Sequence, residues 1–440
     1  MTPRQLALDI LGELRRQGHQ AYFAGGCVRD MLLGRDPKDY DVATDALPEQ
    51  NLAYFLKAIA VGAPFGVILV RKGDAEVEVA TFRRDHHYRD GRRPERVTFT
   101  ASPQEDVVRR DFTINGLLFD PATNEYLDYV GGQRDLEAGL IRAIGVAAQR
   151  FAEDKLRMLR AVRFAARLGF AIEAETMRAI QQHAADIGLV SAERIRDELN
   201  RILTEGGARR GFELLDETGL LQQILPEVAA MKGVEQPPEH HPEGDVWTHT
   251  LLMLEQLENP SVTLALGTLL HDVGKPPTFQ RLDRIRFNGH VEVGVRMAEA
   301  ICSRLRYSTD DTEQVMDLVA NHMRFKDVPR MRQSTLKRFL RKPLFAEHLE
   351  LHRLDCLSSH RDLAHYDFVR QRLDEVPEQE LRPPRLLTGD DLIAEGYEPG
   401  PAFSTMLADV EDAQLEGRLT TKEAALAYVR EKYEEVTRGK

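Results

Sequence analysis

The sequence predicts an α+β chain, in which a head with a small mixed sheet is followed by an all-α remainder. Two observations carry this. Short β-rich runs separated by turn residues crowd the first 140 or so positions, at 21–23, 40–43, 67–71, 77–82 and 117–120. From Phe151 onward almost every apolar position recurs with helical spacing. At 440 residues the chain exceeds one ordinary core, so several domains are expected. Proline- and glycine-rich stretches set the boundaries: Pro237-Pro238 with His240-His241-Pro242-Glu243-Gly244, then Pro377, Pro383 and Pro384. The expected division is a head at 1–140, a helical neck and body at 141–240, a histidine-rich helical block at 241–375 and a helical tail at 376–440.

Residues 1–20 read as the first helix, with Leu6, Ile10, Leu11 and Leu14 on one face. The first β run leads into Gly25-Gly26-Cys27-Val28-Arg29-Asp30, and the second carries Lys38-Asp39-Tyr40-Asp41. In an extended strand residues two apart point to the same face, so Asp39 and Asp41 can grip the same hard cations. Glycines ahead of them let backbone N–H groups approach a triphosphate. Further on, Arg109-Arg110-Asp111-Phe112-Thr113-Ile114-Asn115 sets two guanidiniums beside a carboxylate and an amide. Such forks suit phosphate oxygens, and Asp or Asn suits ribose hydroxyls.

A helix beginning near Glu153-Asp154-Lys155-Leu156-Arg157 carries Arg157, Arg160, Arg163 and Arg167. At roughly 100° per residue the four fall within one arc of about 120°, opposite Met158, Ala161, Val162 and Ala165. The stripe reads either as a solvated face or as a basic binding surface. Asp154 and Arg157, three apart, are expected to share a face. There they form either a salt bridge or a donor–acceptor pair for a nucleobase edge. A second basic segment lies at 83–96, with Arg83-Arg84, Arg89, Arg92-Arg93 and Arg96 beside His86, His87 and Tyr88.

This ordered series resembles the class II tRNA nucleotidyltransferases, the CCA-adding enzymes, together with bacterial poly(A) polymerases, over roughly residues 20–230. The resemblance implies a polymerase-β-like catalytic head in which Asp39 and Asp41 hold Mg²⁺ and are catalytic. It also implies that Gly25, Gly26, Arg29, Arg110, Asp111, Asn115, Asp154, Arg157, Arg160 and Arg163 contact the nucleotide, with Asp154 and Arg157 selecting CTP and then ATP. Glu193-Arg194-Ile195-Arg196-Asp197-Glu198-Leu199 resembles the helix that braces the neck. Glu78 is a candidate third carboxylate or a solvated strand residue. The 83–96 segment lies where the family keeps a flexible loop needed for the final A. Gly116 departs from an alanine common in relatives, with little expected consequence. The implied partners are tRNA, CTP and ATP. Partial CC- or A-adding enzymes and poly(A) polymerase are the enzymatic alternatives. The tail from Leu387-Thr388-Gly389-Asp390-Asp391-Leu392 resembles CCA-type tails and favours tRNA.

In the second helical block, His249, His271-Asp272 and Asp355 follow the order of the HD phosphohydrolases, which they resemble; Val273-Gly274-Lys275 follows the dipeptide. Imidazole and carboxylate ligands suit a divalent transition metal or Mg²⁺ with open positions. His290 and His322 are placed like the further ligands of two-metal versions, or are helix-end histidines bonded to backbone. His240 and His241 read as linker residues. The resemblance implies metal-dependent phosphoester hydrolysis, with Lys275 near the phosphate; an inactive scaffold is the alternative.

Composition narrows the remaining classes. A net charge of −12 argues against a protein that coats nucleic acid nonspecifically. Three cysteines, Cys27, Cys302 and Cys356, give no disulfide or zinc spacing. No apolar run is long enough to span a bilayer and no signal-peptide pattern opens the sequence, so a cytoplasmic protein without a membrane partner is expected. A noncatalytic RNA-binding protein is the reading from another class. Against it, a close aspartate pair without a cation would be self-repelling.

Overall fold

Helix α1 (Pro3–Arg16) starts where the Thr2 hydroxyl accepts from the Gln5 N–H and Pro3 presets the first turn. It buries Leu6, Ala7, Ile10, Leu11 and Leu14 against the head sheet. In this computed structural model, residues 1–62, 65–88, 94–239 and 241–433 are described. The chain forms two compact units. One comprises Met1–Ala230, Leu257–Val262 and Ile301–Tyr307, and the other comprises Met231–Gln256, Thr263–Ala300 and Ser308–Lys440.

In the first unit, besides the parallel two-residue pair Leu140–Ile141 and Ala171–Ile172, the strands are β1 (Ala21–Ala24), β2 (Asp41–Thr44), β3 (Ala58–Gly62), β4 (Val67–Lys72), β5 (Ala75–Thr81), β6 (Arg83–Tyr88), β7 (Pro94–Phe99), β8 (Leu117–Asp120) and β9 (Glu125–Asp128). Seven of them form one mixed sheet in the order β3-β4-β5-β2-β1-β8-β9, in which only β2 and β5 pair in parallel. The expected mixed-sheet head is therefore observed. Its strand list was incomplete: β3, β6, β7 and β9 lie outside the five anticipated runs. Within the 83–96 segment, expected as a flexible loop, residues 83–88 pair with 94–99 in an antiparallel ladder from Arg83↔Phe99 to Tyr88↔Pro94. Arg89, Arg92 and Arg93 fall outside the described residues, as does His240.

The two faces of the sheet differ. Along β5, Ala75, Val77, Val79 and Thr81 are buried while Glu76 and Glu78 are exposed, the period-2 pattern of a half-buried strand. The inward set joins Phe23, Val42 and the α1 leucines in the main head core. The other face is covered by Ala24, Ala43, Phe82, Val107 and Leu118. The further α-helices of this unit are α2 (Gly26–Leu32), α3 (Pro48–Tyr54), α4 (Pro103–Val108), α5 (Gly132–Glu137), α6 (Ala147–Glu153), α7 (Arg157–Leu168), α8 (Ala174–His183), α9 (Ala192–Thr204), α10 (Ala208–Glu217), α11 (Leu220–Ile224) and α12 (Pro226–Ala229).

The second unit is helical apart from the two-residue strands Gln280–Arg281 and Ile285–Arg286. One core gathers Phe325, Phe339, Phe345, Leu349 and Val369; another gathers Leu387, Leu392, Tyr397, Met406, Val410 and Val429. All three cysteines are buried and unbridged, and no described helix is long and apolar enough to cross a membrane.

Gly116 corrects an expectation. A Cβ there would lie 2.8 Å from Val130 Cγ2 and 3.1 Å from both Ile144 Cδ1 and Val107 Cγ1. Branched side chains around a closed pocket give way poorly, so alanine overfills it. G116A should lower the melting temperature by several degrees, equivalent to roughly 1–3 kcal/mol, in a thermal melt of the full chain. A melt superimposable on wild type would show that the pocket relaxes freely.

Candidate active sites

Register brings the head carboxylates together. In the β2–β5 pair Asp41 stands opposite Glu78, and in the β1–β2 pair Asp41 stands opposite Ala24, the residue before Gly25. Asp41 is half-buried, whereas Asp39 and Glu78 are exposed. Asp39 sits in the bend before β2 rather than within a strand, so the strand-face argument does not place it. Proximity does: the Asp41 carboxyl is pushed up to about 6, first by burial and then by Glu78 and Asp39, with Arg110 opposing. Three acids gathered at one strand end, with the central one reluctant to ionise, suit a hard cation. Gly25 caps α2 with φ 70°, and a Cβ on it would stand 3.1 Å from Arg110 Nη1. Glycine is therefore needed both for the turn and for the approach.

Arg110 is anchored by Asp106, accepting at 3.0 Å, while its Nε is buried without a partner. Arg109 donates to Asp106 as well. Asp106 was missed by sequence reading, although its position three and four residues before the two arginines was a legible helix signal.

A chain of hydrogen bonds and ion pairs then runs inward. Arg29 donates to Asn115 Oδ1 at 2.9 Å, Asn115 Nδ2 donates to Asp111 Oδ1 at 3.1 Å, and Arg160 Nε donates to Asp111 Oδ2 at 2.8 Å. Arg163 Nε lies 2.9 Å from Glu198 Oε2 on α9, and Arg160 reaches the same carboxylate at 3.8 Å. Arg29, Arg160 and Arg163 all lie over the Phe164 ring, at 4.5–5.3 Å from its centroid. Although burial opposes it, Asp111 is held down at about 2 by Arg160, Asn115 and the Phe112 N–H.

The basic stripe on α7 is thus neither a solvated face nor an open cationic surface. Arg157 pairs with Glu153, Arg160 with Asp111, Arg163 with Glu198 and Arg167 with Glu205. Periodicity located the stripe; the acids that neutralise it come from distant segments. The Asp154–Arg157 expectation also changes. Asp154 is the extended residue after α6, and its carboxylate accepts from the Leu156 N–H and from Arg194 at 2.8 Å. An Asx turn breaks the helix between the two residues, so helical spacing does not apply.

In the second unit, His271 and Asp272 sit in the turn after the helix Val262–Leu270. A Cβ on Gly274 would meet His290 O at 2.1 Å, so only glycine lets this turn touch the start of the helix His290–Arg304. Three groups have their ligand atoms within 4.8 Å of one another: His249, His271 and Asp355; Asp272, His290 and His322; and, beside them, His241, Glu243 and His249. His290 and His322 present Nε2 at 3.9 and 3.8 Å from Asp272 Oδ1. Their Nδ1 atoms bond the carbonyls of Phe287 and Val319, and His271 Nδ1 bonds that of Thr268. His249 Nδ1 bonds Glu243 at 2.7 Å. The Nε2 atoms of all four histidines are buried without a well-aligned hydrogen bond, those of His249 and His271 lying 3.2 Å from Asp355 Oδ1 and 3.1 Å from Asp272 Oδ2. Rings steered through Nδ1 with Nε2 unsatisfied fit metal ligands.

His241, read as linker, shares the Glu243 carboxylate with His249 at 2.9 Å. Glu243 had no sequence signal, because a lone glutamate in a proline-glycine stretch has no period. Lys275 is buried, bonding Asp272 and Gln236 at 2.6 Å each, so it holds a ligand rather than standing free. Burial pushes His322 down to about 4, whereas Asp355 and Glu243 outweigh burial and lift His249 to about 9.

Comparisons with known proteins meet these sites. Residues 21–142 match the Poly A polymerase head domain, residues 169–232 the Probable RNA and SrmB- binding site of polymerase A, and residues 245–356 the HD domain. A crystal structure of the Bacillus stearothermophilus CCA-adding enzyme in complex with CTP covers 99% of this chain and 100% of its own, with TM-score 0.73 and 26% identity. This chain resembles the CCA-adding enzymes. Its α+β fold matches theirs, as the motif series implied.

Among curated proteins, the CCA-adding enzyme of Geobacillus stearothermophilus is 48% identical over 231 residues, 52% of this chain and 56% of the relative. That of Lactobacillus johnsonii is 39% identical over 257 residues, 57% of this chain and 63% of the relative. The chain thus spans little more than half the length of the curated relatives it matches. A Thermotoga maritima CCA-adding enzyme complexed with tRNA, at 20% identity and TM-score 0.59, shares the fold.

Asp41 yields a pH prediction. With its folded-state value raised from 3.8 to about 6, the metal-free protein loses stability as pH rises through that window. D41N removes this loss. Without divalent cations above pH 6, it should melt higher than wild type by roughly 1–3 kcal/mol equivalent, and added Mg²⁺ should stabilise only the wild type. A variant that melts lower at every pH would contradict the crowding of Asp41 by Glu78 and Asp39.

Proposed function

We propose that this protein is a template-independent tRNA nucleotidyltransferase that adds C, C and A to tRNA 3′ ends from CTP and ATP, and that its HD domain hydrolyses phosphoesters at RNA ends. The carrying observation is the register that sets Asp41 opposite Glu78 beside the Gly25-Gly26 turn, in a fold shared with an enzyme solved with CTP. The residues divide the work by position. Asp39 and Asp41, with Glu78 as third acid, would hold Mg²⁺. The ion supplies charge neutralisation at the triphosphate and acidifies the RNA 3′-hydroxyl. Gly25 and Gly26 offer backbone N–H groups to phosphate, and Arg110, fixed by Asp106, holds a guanidinium at the same edge. Asp111 and Asn115 orient the ribose side, while Arg29, Arg160 and Arg163 keep them rigid. Asp154 and Arg157 face the base, with Arg194 setting the carboxylate of Asp154.

The proposed division assigns nucleotidyl transfer to 1–140, nucleobase and RNA contacts to 141–240, hydrolysis to 241–375 and tRNA contacts to the 376–440 tail, in a cytoplasmic protein. The match of residues 169–232 to an RNA-binding family supports RNA as the partner. The CCA-adding relatives favour that product over poly(A) or a partial CC or A addition. In the HD domain, His249, His271, Asp272 and Asp355, with His290 and His322, would hold one or two divalent cations, a transition metal or Mg²⁺, which supply Lewis acidity toward phosphate. Glu243 and Lys275 keep that set aligned.

The two chemistries should separate by substitution. D41A should abolish NTP incorporation, by a thousandfold or more, while sparing hydrolysis of a 2′,3′-cyclic phosphate; D272A should do the reverse. Both are read on one preparation by labelled-NTP transfer and phosphate release. Loss of both activities in either variant would refute two independent sites. Wild-type protein inert in both assays with Mg²⁺ and Mn²⁺ supplied would favour a noncatalytic RNA-binding protein.

A further inference from the structure

Between the HD dipeptide and His290 the chain makes a small hairpin of sequence Phe279-Gln280-Arg281-Leu282-Asp283-Arg284-Ile285-Arg286-Phe287. Its strands Gln280–Arg281 and Ile285–Arg286 pair antiparallel, so the two flanking phenylalanines meet with ring centroids 5.9 Å apart. From there the aromatic series continues inward. Phe287 is 6.5 Å from the His290 ring, His290 5.6 Å from His322, and His322 5.5 Å from His271. Lys275 Nζ lies 5.4 Å from the Phe287 centroid. The outer end of this series is open: Phe279 is 37% exposed and Leu282, at the hairpin tip, 69%.

An aromatic ring held in solvent loses the burial that normally justifies its position. The hairpin that carries it is also basic, with three arginines against one aspartate. Arg281 pairs with Glu235 and Arg286 with Asp283, while exposed Arg284 has no ion pair among the described residues. A ring for a π-face beside guanidinium for phosphate is the chemistry that binds single-stranded nucleic acid irrespective of sequence. A surface for a protein partner would need more apolar area than this tip offers.

We propose that the 279–287 hairpin is a stacking lip for the HD site, holding the nucleobase adjacent to a phosphoester that lies among His271, Asp272, His290 and His322. The site then takes base-bearing phosphoesters, an RNA end or a free nucleotide, in preference to simple alkyl phosphates. This rests on the hydrolase reading of the HD domain. Phe279 supplies the outer face, Phe287 backs it, and Arg284 reaches the neighbouring phosphate.

The test compares wild type, F279A and F279Y on an RNA oligonucleotide ending in a 2′,3′-cyclic phosphate, the same oligonucleotide with an abasic terminal residue, and free 2′,3′-cyclic CMP. The ratio of kcat/KM for base-bearing over abasic ends should fall roughly five- to a hundredfold in F279A and recover in F279Y. A matching loss with cyclic CMP would indicate recognition of the base alone, and a loss confined to the oligonucleotide would assign the lip to RNA ends. An unchanged ratio in F279A would overturn the proposal. A binding arm works without turnover: an oligonucleotide carrying 3′-terminal 4-thiouridine should photocrosslink within residues 279–287 of wild type. Crosslinking without hydrolysis would retain the lip and remove the hydrolase; hydrolysis with no crosslink there would remove the lip and retain the hydrolase.

Discussion

The head depends on the carboxylate of Asp111. It is buried, accepts from the Phe112 N–H, Asn115 and Arg160, and thereby ties the segment after α4 to helix α7. Through Asn115 it fixes Arg29 of α2, and through Arg160 it continues to Glu198 of α9. Such a network is high in consequence: fully paired it specifies one geometry, and with one partner removed it strands a charge in low dielectric. Arg163 illustrates the exposure to loss. It is 3% exposed, and burial pushes its guanidinium down to about 10 even with Glu198 beside it. The same anchoring fixes Arg29 and Asn115 beside the Gly25 turn. It explains why so many arginines gathered near one site leave few free guanidiniums.

The HD cluster applies the opposite device. There the outer atoms are satisfied and the inner ones left unsatisfied. Three histidines bind backbone carbonyls through Nδ1 and a fourth binds Glu243, so the rings cannot turn to relieve their Nε2 atoms. A buried polar atom without a partner destabilises a fold unless a ligand meets it. The head acids follow the same logic with charge in place of lone pairs, since Asp41 is crowded by Glu78 and Asp39. In both places folding leaves an electrostatic demand of the kind a divalent cation would relieve.

The sequence disclosed what local spacing encodes. Period-2 and helical patterns placed the mixed-sheet head and the helical remainder, and the Asp, Arg and His motifs picked out residues that the fold gathers into two clusters. It did not disclose the pairing of residues far apart in the chain. Glu198 is 35 positions from Arg163, and nothing in the 157–167 pattern marks it as the neutralising acid. Glu78, read in the sequence as a third carboxylate or a solvated strand residue, gains its place opposite Asp41 only through the β2–β5 register. Helical spacing misled at Asp154, where an Asx turn interrupts the periodicity, and family habit misled at Gly116, whose pocket is set by Val107, Val130 and Ile144. The β6–β7 ladder was hidden because arginine and histidine mask its strand character.

The most direct test is incorporation of labelled CTP and ATP into three tRNA transcripts, ending before CCA, after C and after CC, in Mg²⁺ and resolved to single nucleotides. The account predicts that each transcript is completed to CCA and that extension then stops. Extension of the CC-ended transcript alone, or long A tails on unstructured RNA, would contradict it.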